Sequence, residues 1–501
     1  MNARLLKETR DLLPVTAVGA LLVLFPFALR LLLVSAMDRE AAATFGLVAM
    51  GLGCVLMAGS SFGGEIHQRT LPLLLTQPIA RSVLWRDKML VLAAGLLLIL
   101  IEFWACVALS KAPHNDWSGI ALLLLVPLCA FCGVPYWTLL LRHGIGGMVF
   151  AVAAPSWVLI LATYLTEQVF ELTEDWRVWI AVGVTLVYSA TVYSLGYRRF
   201  QTMEDRESRS RDLKLPAGLD AVVSQSLSHC TARLRGVFPS LLKKEFRIQQ
   251  VCFLLAALFF LIAAAGFSLI KLRENLASGI IGIDFAIYVF VLPLVAGAIT
   301  VGEERSWGIV DWHLTLPPSG YQQWTAKVLT ALSVSFALGL LLPAAMVLAG
   351  GLMLSKPYEP PPWPEWGFVP LLQVLVTSVA IYVSTFARNS LRAILGAFVL
   401  IAAGVAAVPL AALVAEHVVN PTWRFRFGPS YSLGVVIVTA AYAALTLLLC
   451  LVQFFAWQNF RRNGASPRSI RVQISSILSF VWLVAFAIAS VVIAAQRSQY
   501  R

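Results

Sequence analysis

Apolar segments of about 20 residues recur along this chain, a length at which an α-helix crosses the hydrocarbon core of a bilayer, about 30 Å thick. Of the 501 residues, 59% are hydrophobic and 13% are charged, whereas about 25% of the residues in soluble domains are charged. This balance excludes a soluble enzyme, a disordered chain and a small disulfide-linked scaffold. The sequence therefore predicts an all-α polytopic membrane protein.

The apolar segments predict about 12–13 transmembrane helices when they are counted by length. Six lie before the longest polar segment, six follow it, and one more lies near the C-terminus. In chain order, the predicted helices lie near residues 14–35, 43–62, 89–110, 119–141, 145–165, 177–197, 250–270, 280–301, 328–354, 367–387, 393–415, 433–457 and 475–495.

The distribution of Lys and Arg predicts which side of the membrane each loop faces, because cytoplasmic loops are enriched in these residues. With the N-terminus in the cytoplasm, the inner segments carry 27 of the 38 Lys and Arg residues, the outer segments carry ten, and Arg30 lies within the first span. We therefore expect a multi-pass protein of the cell membrane (inner or plasma membrane) with a cytoplasmic N-terminus. The net charge of +12 is explained by these loops and by contact with the lipid bilayer, and it requires no nucleic acid partner.

Two loop segments of the chain match each other at a spacing of 239 residues. The first, EIHQRTLPLLLTQPIARSVLWRDK, begins at Glu65, and the second, ERSWGIVDWHLTLPPSGYQQWTAK, begins at Glu304. Shared Glu, Pro, Trp and Lys in register are more informative than shared Leu in so apolar a chain, and they indicate an internal repeat. The matched pairs are Glu65 with Glu304, Thr76 with Thr315, Pro78 with Pro317, Trp85 with Trp324, Lys88 with Lys327 and, just upstream, Gly63 with Gly302.

Shorter matches extend the repeat. The segment Lys7-Glu8-Thr9-Arg10 precedes the first predicted span, and Lys244-Glu245-Phe246-Arg247 precedes the seventh, 237 residues later. A weaker match relates Arg142 and Arg388, which lie in predicted inner turns. We predict two parallel six-helix repeats, related by a pseudo-twofold axis along the membrane normal, plus one extra C-terminal helix. The predicted domains are a first half at 1–200, a cytoplasmic linker at 201–240, a second half at 241–460, and a basic loop with the extra helix at 461–501.

Each repeated loop is expected to leave one membrane helix, run along the cytoplasmic surface and begin the next helix. In the first copy, Glu65 and Arg69 are one helical turn apart and can pair, and the leucines of 71–75 can face lipid. Pro78 and Pro317 are expected to end the surface portion, because the residue before a proline is pushed out of the helical conformation.

The helix that follows each repeated loop is expected to begin with a capping motif or with interfacial Trp and Lys residues. Ser319 and Gln322 have the spacing of a capping box. Tryptophan and lysine at the inner end of a span are typical interfacial anchors, and here they are Trp85, Trp324, Lys88 and Lys327. An ordinary anchor would explain one copy, but the same construction in two equivalent loops favours a cytoplasmic docking element.

The pattern of a Gly/Glu helix end, a Leu-Thr-x-Pro turn and a Trp-x-x-Lys helix start resembles the ABC-2-type permeases of ABC transporters. Those permeases have six spans per subunit, and two subunits work with two ATP-binding subunits. The resemblance covers both halves, about 1–200 and 240–460, while its specific motifs occupy the two loops and the segments before each half. It implies that 65–88 and 304–327 contain coupling helices, and that Asn2–Leu12 and roughly Pro239–Gln250 form amphipathic interface helices.

The resemblance further implies that the chain is a permease that moves a substrate, in the export direction, using ATP hydrolysed by partners. No GxxxxGK[ST] phosphate loop occurs in the sequence. We therefore expect no enzyme activity and no cofactor in this chain, with ATP-Mg bound on two ATP-binding subunits per chain. The implied partner-binding residues of the coupling elements are Glu65, Arg69, Thr76, Pro78, Trp85, Lys88, Glu304, Thr315, Pro317, Trp324 and Lys327.

Two charged residues lie inside predicted spans, Arg30 and Glu102, where a charge costs about 2.5–3.5 kcal/mol to insert. Both fall in the outward half of their helices, so they can form a structural pair, Arg30 can reach outward, or they can mark a polar point on a substrate path. They leave open an ion-coupled secondary transporter, which usually needs matched ionisable sites near the midplane. A membrane-embedded transferase would need clustered Asp, His or Glu, and no metal-ligand spacing occurs. The substrate stays open among lipids, peptides, drugs and polysaccharide.

Overall fold

The computed structural model is built from α-helices. It describes residues 3–32, 39–68, 70–110, 117–166, 174–203, 236–270, 274–308, 318–353, 363–418, 433–462 and 465–499, and no β-strand occurs among them. Within these residues, eleven helices are long and apolar enough to cross a membrane, and two shorter apolar helices, Gly144–Leu159 and Phe368–Ser384, accompany them. The chain is therefore an all-α, multi-pass membrane protein, as the sequence predicts. The grouping of these helices into two six-helix repeats stays a prediction.

The helices are numbered here in chain order, with a short π-helical turn at Ala337–Leu341 between the eleventh and the twelfth. Their bounds are α1 Ala3–Leu32, α2 Arg39–Gln68, α3 Leu71–Leu75, α4 Arg81–Ser110, α5 Trp117–Leu141, α6 Gly144–Tyr164, α7 Glu174–Thr202, α8 Val237–Ile248, α9 Gln250–Ile270, α10 Glu274–Trp307, α11 Gly320–Phe336, α12 Leu342–Met353, α13 Trp363–Ser384, α14 Ser390–Val418, α15 Leu433–Arg461 and α16 Pro467–Gln499.

The two segments that precede the repeated halves fold differently. Val237–Ile248 forms a helix of its own, because the backbone N–H of Gln249 closes it on the carbonyls of Glu245 and Phe246. The Gln249 side chain also donates to the carbonyl of Ala296 at 2.9 Å, which fixes the break before α9. In the first copy, the expected interface helix is instead continuous with the span, and α1 runs through two internal prolines, Pro14 and Pro26. Proline is tolerated inside membrane helices when neighbouring groups satisfy the freed backbone atoms.

The chain folds into two compact units. The first comprises Met1–Phe27, Met37–Arg235 and Gln250–Tyr288. Within it, α5 is the central helix and contacts α2, α4, α6 and α7. Helix α9 packs against α6, where Ile262 and Ala153 are both buried.

The second unit comprises Ala28–Ala36, Gly236–Gln249 and Val289–Arg501. Within it, α13 contacts α11, α14 and α15, and α11 also contacts α8. The extra C-terminal helix α16 packs along α14 and α15. Its buried Gln473 accepts hydrogen bonds from Tyr382 Oη at 3.2 Å and from Asn459 Nδ2 at 3.0 Å. This network holds α16 in register, because a buried amide that lost its partners would carry a desolvation penalty.

Candidate functional site

Lys88, near the start of α4, is the centre of an ion cluster in the first unit. Its Nζ lies 2.8 Å from Oε2 of Glu8 in α1 and 2.8 Å from Oε1 of Glu65 in α2. It also donates to the carbonyl oxygen of Ser61 at 3.4 Å and lies 5.4 Å from the ring centroid of Phe62. The lysine side chain is only 3% exposed. One buried ammonium group therefore joins α1 to the end of α2 and to the start of α4, the two helices that bound the repeated loop.

Lys327, near the start of α11, is the centre of a second cluster in the second unit. Its Nζ lies 2.9 Å from Oε1 of Glu245 in α8 and 2.8 Å from Oε1 of Glu304 in α10. It also donates to the carbonyl oxygen of Thr300 at 3.3 Å. A second lysine, Lys244, approaches the same Glu304 oxygen at 2.6 Å.

The two clusters are built from equivalent positions. In each unit, a lysine at the start of one helix binds a glutamate at the end of the preceding long helix. The same lysine also binds a glutamate from the segment that precedes the half and a backbone carbonyl one turn before the loop. The pairs Lys88 and Lys327, Glu65 and Glu304, and Ser61 and Thr300 are each 239 residues apart, and Glu8 and Glu245 are 237 apart. The repeat in the sequence is thus accompanied by a repeated set of contacts.

The clusters differ in burial and in charge balance. In the second unit, the Glu245 and Glu304 side chains are 5% and 1% exposed, and two lysines balance two carboxylates. In the first unit, Glu8 and Glu65 are 12% and 14% exposed. There Lys88 contacts both carboxylates, and Lys7, the counterpart of Lys244, acts on Glu65 by charge without a close contact. Deeper burial requires closer charge balance, because an unpaired charge in the interior is strongly destabilising. Burial raises the pKa of Glu245, and the attraction of the lysine ammonium group opposes that rise.

Trp85 packs one turn before Lys88 and is 3% exposed. Its ring centroid lies 5.4 Å from that of Phe62 and 5.5 Å from that of Phe200 in α7. Its indole N–H donates to the hydroxyl of Tyr193 at 3.3 Å. The tryptophan is therefore enclosed by protein instead of being presented to lipid as an anchor, and it fastens α4 to α7.

Trp324 occupies the equivalent position in the second unit, where it is 7% exposed and packs α11 against α15. Its ring lies 5.2 Å from Phe460 and 6.0 Å from Trp457, both in α15. Phe460 is the counterpart of Phe200 at a spacing of 260 residues. The capping box predicted from Ser319 and Gln322 is confirmed at the start of the same helix.

A close helix crossing accompanies each cluster. A Cβ atom added at Gly63 would lie 3.2 Å from the Cα of Gly144, and one added at Gly302 would lie 2.7 Å from the Cα of Ser390. A side chain at Gly302 would clash with this backbone and one at Gly63 would crowd it, which explains why glycine occurs at both matched positions. The helix on the far side of each crossing has an equivalent N-cap, with His143 Nδ1 accepting from the Gly146 N–H and Asn389 Oδ1 accepting from the Arg392 N–H.

The first repeated loop presents an exposed surface between the two buried helix ends. Helix α3 buries Leu71 and Leu74 and exposes 68% of Leu73, so only part of this leucine run is available to lipid or to a partner. Thr76 and Pro78 follow it and are exposed. The loop thus combines a buried base with an exposed edge.

Several predicted residues lie outside the described residues, namely Arg69, Thr315 and Pro317, so the pairing of Arg69 with Glu65 stays a prediction. Arg30 lies in the last turn of α1. Glu102 lies within α4, and its Oε2 atom is buried without a hydrogen-bond partner. The proposed pairing of Arg30 with Glu102 also stays a prediction.

The sequence predicts Lys88 and Lys327 as interfacial anchors at the inner ends of their helices, whereas both side chains are enclosed and bind carboxylates. Glu8 and Glu245 are not predicted from the sequence as their partners. A signal for them was present, since both belong to the Lys-Glu-x-Arg segments that precede each half. Their contact with the lysines depends on how three separate helices pack, which the matched segments do not specify.

The chain matches no family model, no curated protein and no solved structure.

Proposed function

We propose that this chain is the transmembrane permease component of an ABC transporter, with two permease halves fused in one polypeptide. In this proposal, two separate ATP-binding subunits dock on the cytoplasmic loops 65–88 and 304–327, and ATP hydrolysed there drives export of a substrate. The observation that carries the proposal is the pair of equivalent lysine-centred clusters, each at the base of one of these loops.

The clusters would transmit a force applied to a loop to the membrane helices. In the first unit, Lys88 binds Glu65 on one side of the loop and Glu8 from the preceding segment. Buried charge pairs are costly to separate, because each partner left alone in the interior carries a large desolvation penalty. A push on the loop would therefore move α1, α2 and α4 together instead of deforming the loop alone.

The exposed edge of the first loop is suited to a docking contact. Leu73 is an exposed apolar side chain on a segment in which Leu71 and Leu74 are buried. The exposed residues Thr76 and Pro78 follow shortly after it. The central part of a protein–protein interface is typically apolar and well packed, with polar residues at its rim. The buried glutamates and lysines would then act as positioning residues beneath the docking surface, without touching the partner.

Co-purification tests this proposal. The tagged chain is expressed with candidate ATP-binding subunits, and the subunits retained per chain are counted. We expect two for the unmodified chain. Leu73→Asp should reduce the number toward one, because it places a charge on one of the two docking loops.

Val472→Asp is the matched control. Val472 is an apolar residue with 64% exposure in α16, and its segment is predicted to lie on the same side of the membrane but outside both loops. This variant should retain two subunits. The proposal fails if a chain that elutes as a single folded species binds no ATP-binding subunit, or if Leu73→Asp and Val472→Asp behave alike.

An ion-coupled secondary transporter is the second candidate, and one observation favours it. The Oε2 atom of Glu102 is buried in a membrane-spanning helix without a hydrogen-bond partner, and ionisable residues at such depth mark ion pathways in many transporters. This candidate predicts uptake or export driven by an ion gradient in vesicles without ATP, abolished by Glu102→Gln. The ABC permease predicts no transport under those conditions.

A further inference from the structure

A groove runs along the first unit between α4 and α7, beside the aromatic cluster of Trp85. Its volume is about 480 Å³, which is in the range of small-molecule sites. The residues that line it come from α4, α5 and α7 and include Ser82, Arg86, Met89, Ala93, Phe131 and Tyr197.

The groove changes character along its length. Ser82, Arg86, Met89 and Ala93 lie on one face of α4, and the distance from the first to the last is about 16 Å at 1.5 Å per residue. The end near the start of the helix carries a hydroxyl and a guanidinium group. The other end is lined by aliphatic side chains and by Phe131, so the groove is polar at one end and apolar at the other.

Arg86 supplies an accessible cation at the polar end. Its side chain is 70% exposed, and its Nη2 atom lies 3.8 Å from the carboxylate of Asp87, which is itself 8% exposed. That distance exceeds a hydrogen bond. A guanidinium group carries five N–H donors in a planar fork that fits a phosphate, so the remaining donors can serve an anionic ligand.

We propose that this groove binds one anionic phospholipid from the surrounding bilayer. The phosphate lies on Arg86 and the Ser82 hydroxyl, and an acyl chain runs past Met89 and Ala93 toward Phe131. The polarity of the groove matches the order of headgroup and chain in a membrane leaflet. Its position at a helix start with a neighbouring exposed Tyr197 also matches the interfacial depth at which tyrosine is enriched.

The equivalent surface of the second unit lacks these features. At the same register, Tyr321 replaces Ser82 and Thr325 replaces Arg86. The Tyr321 ring lies 6.1 Å from that of Trp457, the counterpart of Tyr197. A bulky side chain thus occupies the position of the groove mouth, and the cation is replaced by a neutral residue. Lipid binding is therefore assigned to the first unit, and it does not depend on the transport mechanism proposed above.

Native mass spectrometry of the full chain in a neutral detergent tests the assignment. Phosphatidylglycerol and phosphatidylcholine with the same acyl chains are titrated, and the tightest bound lipid is measured. Arg86→Gln should weaken phosphatidylglycerol binding roughly tenfold, since a hydrogen bond to a charged group contributes about 1.5 kcal/mol or more. It should weaken phosphatidylcholine less, because the choline cation leaves that headgroup without a net charge for Arg86 to attract. Ser82→Tyr, which copies the second unit, should weaken both lipids.

Arg461→Gln is the matched control, because Arg461 is an exposed arginine in the last turn of α15, belongs to the second unit and does not line the groove. Each variant is first checked for an unchanged elution profile. The assignment is overturned if Arg86→Gln loses no more phosphatidylglycerol than Arg461→Gln. It is equally overturned if Ser82→Tyr binds both lipids with unmodified affinity.

Discussion

Replacing Lys327 by methionine should be among the most destabilising single changes in the second unit. Methionine has a similar length but no charge, so the change removes the ammonium group and leaves the packing volume largely filled. It leaves Glu245 and Glu304 buried together, at 5% and 1% exposure. Lys244, which is 34% exposed, then lies 3.6 Å from the Glu245 carboxylate and 2.6 Å from that of Glu304.

The magnitude follows from the two ion pairs that are lost. At 2.8–2.9 Å and an effective dielectric constant of about 20, each attraction is about 6 kcal/mol. The desolvation of the Lys327 ammonium group, several kcal/mol, opposes these attractions and disappears with the charge. Removal of one partner from a buried ion pair destabilises proteins by about 3–5 kcal/mol, and we expect the upper part of that range.

A second substitution should reverse much of this loss. Glu245→Gln removes one of the two stranded charges, and the pair of Lys244 with Glu304 at 2.6 Å then remains neutral. The double variant Lys327→Met with Glu245→Gln should therefore be more stable than the Lys327→Met variant alone. Such non-additivity is the signature of residues within one network.

The loss should also depend on pH. Burial raises the pKa of Glu245, and Lys327 opposes that rise, so the folded-state pKa is higher in the Lys327→Met variant. A carboxyl group whose pKa is higher in the folded state weakens folding above its unfolded value of about 4.3, and the penalty grows as the pH rises toward the folded value. The variant should therefore be closer to the unmodified protein at pH 5 than at pH 8.

The assay is thermal unfolding of the purified chain in detergent, followed by the loss of the monodisperse elution peak at pH 5 and at pH 8. Lys88→Met is the matched comparison and should have a smaller effect, because Glu8 and Glu65 retain 12% and 14% exposure. The reasoning is refuted if Lys327→Met unfolds at the same temperature as the unmodified chain. It is also refuted if the added Glu245→Gln change lowers the temperature further.

Three more changes test the packing around the clusters and the extra helix. Gly302→Ala should destabilise the folded protein by about 1–3 kcal/mol, since the added methyl group meets backbone at 2.7 Å. Gly404→Ala should be neutral or stabilising, because an added methyl group there has nothing within 4 Å. Thermal unfolding of the two variants tests this difference. Gln473→Leu should lower the free energy of unfolding by about 1–3 kcal/mol, because it leaves buried polar partners without a hydrogen bond. Ser475→Ala, at an exposed position, should not lower it. Equal unfolding temperatures for the two variants would contradict the hydrogen-bond network. Trp85→Ala should lower the free energy of unfolding by about 3–5 kcal/mol. Trp85→Phe should lower it less, because the phenyl ring keeps part of the aromatic contact. Equal losses in the two variants would argue against a role for ring packing.

The class of fold could be predicted from the sequence because the bilayer imposes a length on every spanning helix. The predicted span near 177–197 corresponds to α7, and the extra span near 475–495 falls inside α16. The positions at which individual helices begin and end are less predictable from the sequence. Helix α1 is continuous where a separate interface helix was expected, because proline does not stop a helix whose neighbours satisfy its backbone.

The candidate site could be predicted in part. The matched segments identified the glutamates and lysines of both loops, and the match of Gly63 with Gly302 has a physical reason in the close helix crossings. The burial of Lys88 and Lys327 could not be read from the sequence, because a lysine near the end of a span is ordinarily expected to reach the headgroups. It is enclosed here because a glutamate from a third helix, distant in sequence, supplies a second carboxylate.

The account depends most on the claim that two equivalent loops receive ATP-binding subunits. Photo-crosslinking in cells tests it directly, with a photoreactive amino acid placed at Leu73, at its register equivalent Trp312, and at the control position Val472. The account predicts, at both loop positions, a crosslinked product heavier than the chain by the mass of one ATP-binding subunit, and no such product at Val472. Loops that crosslink to no ATP-binding subunit, in a chain that is folded and inserted, would contradict it.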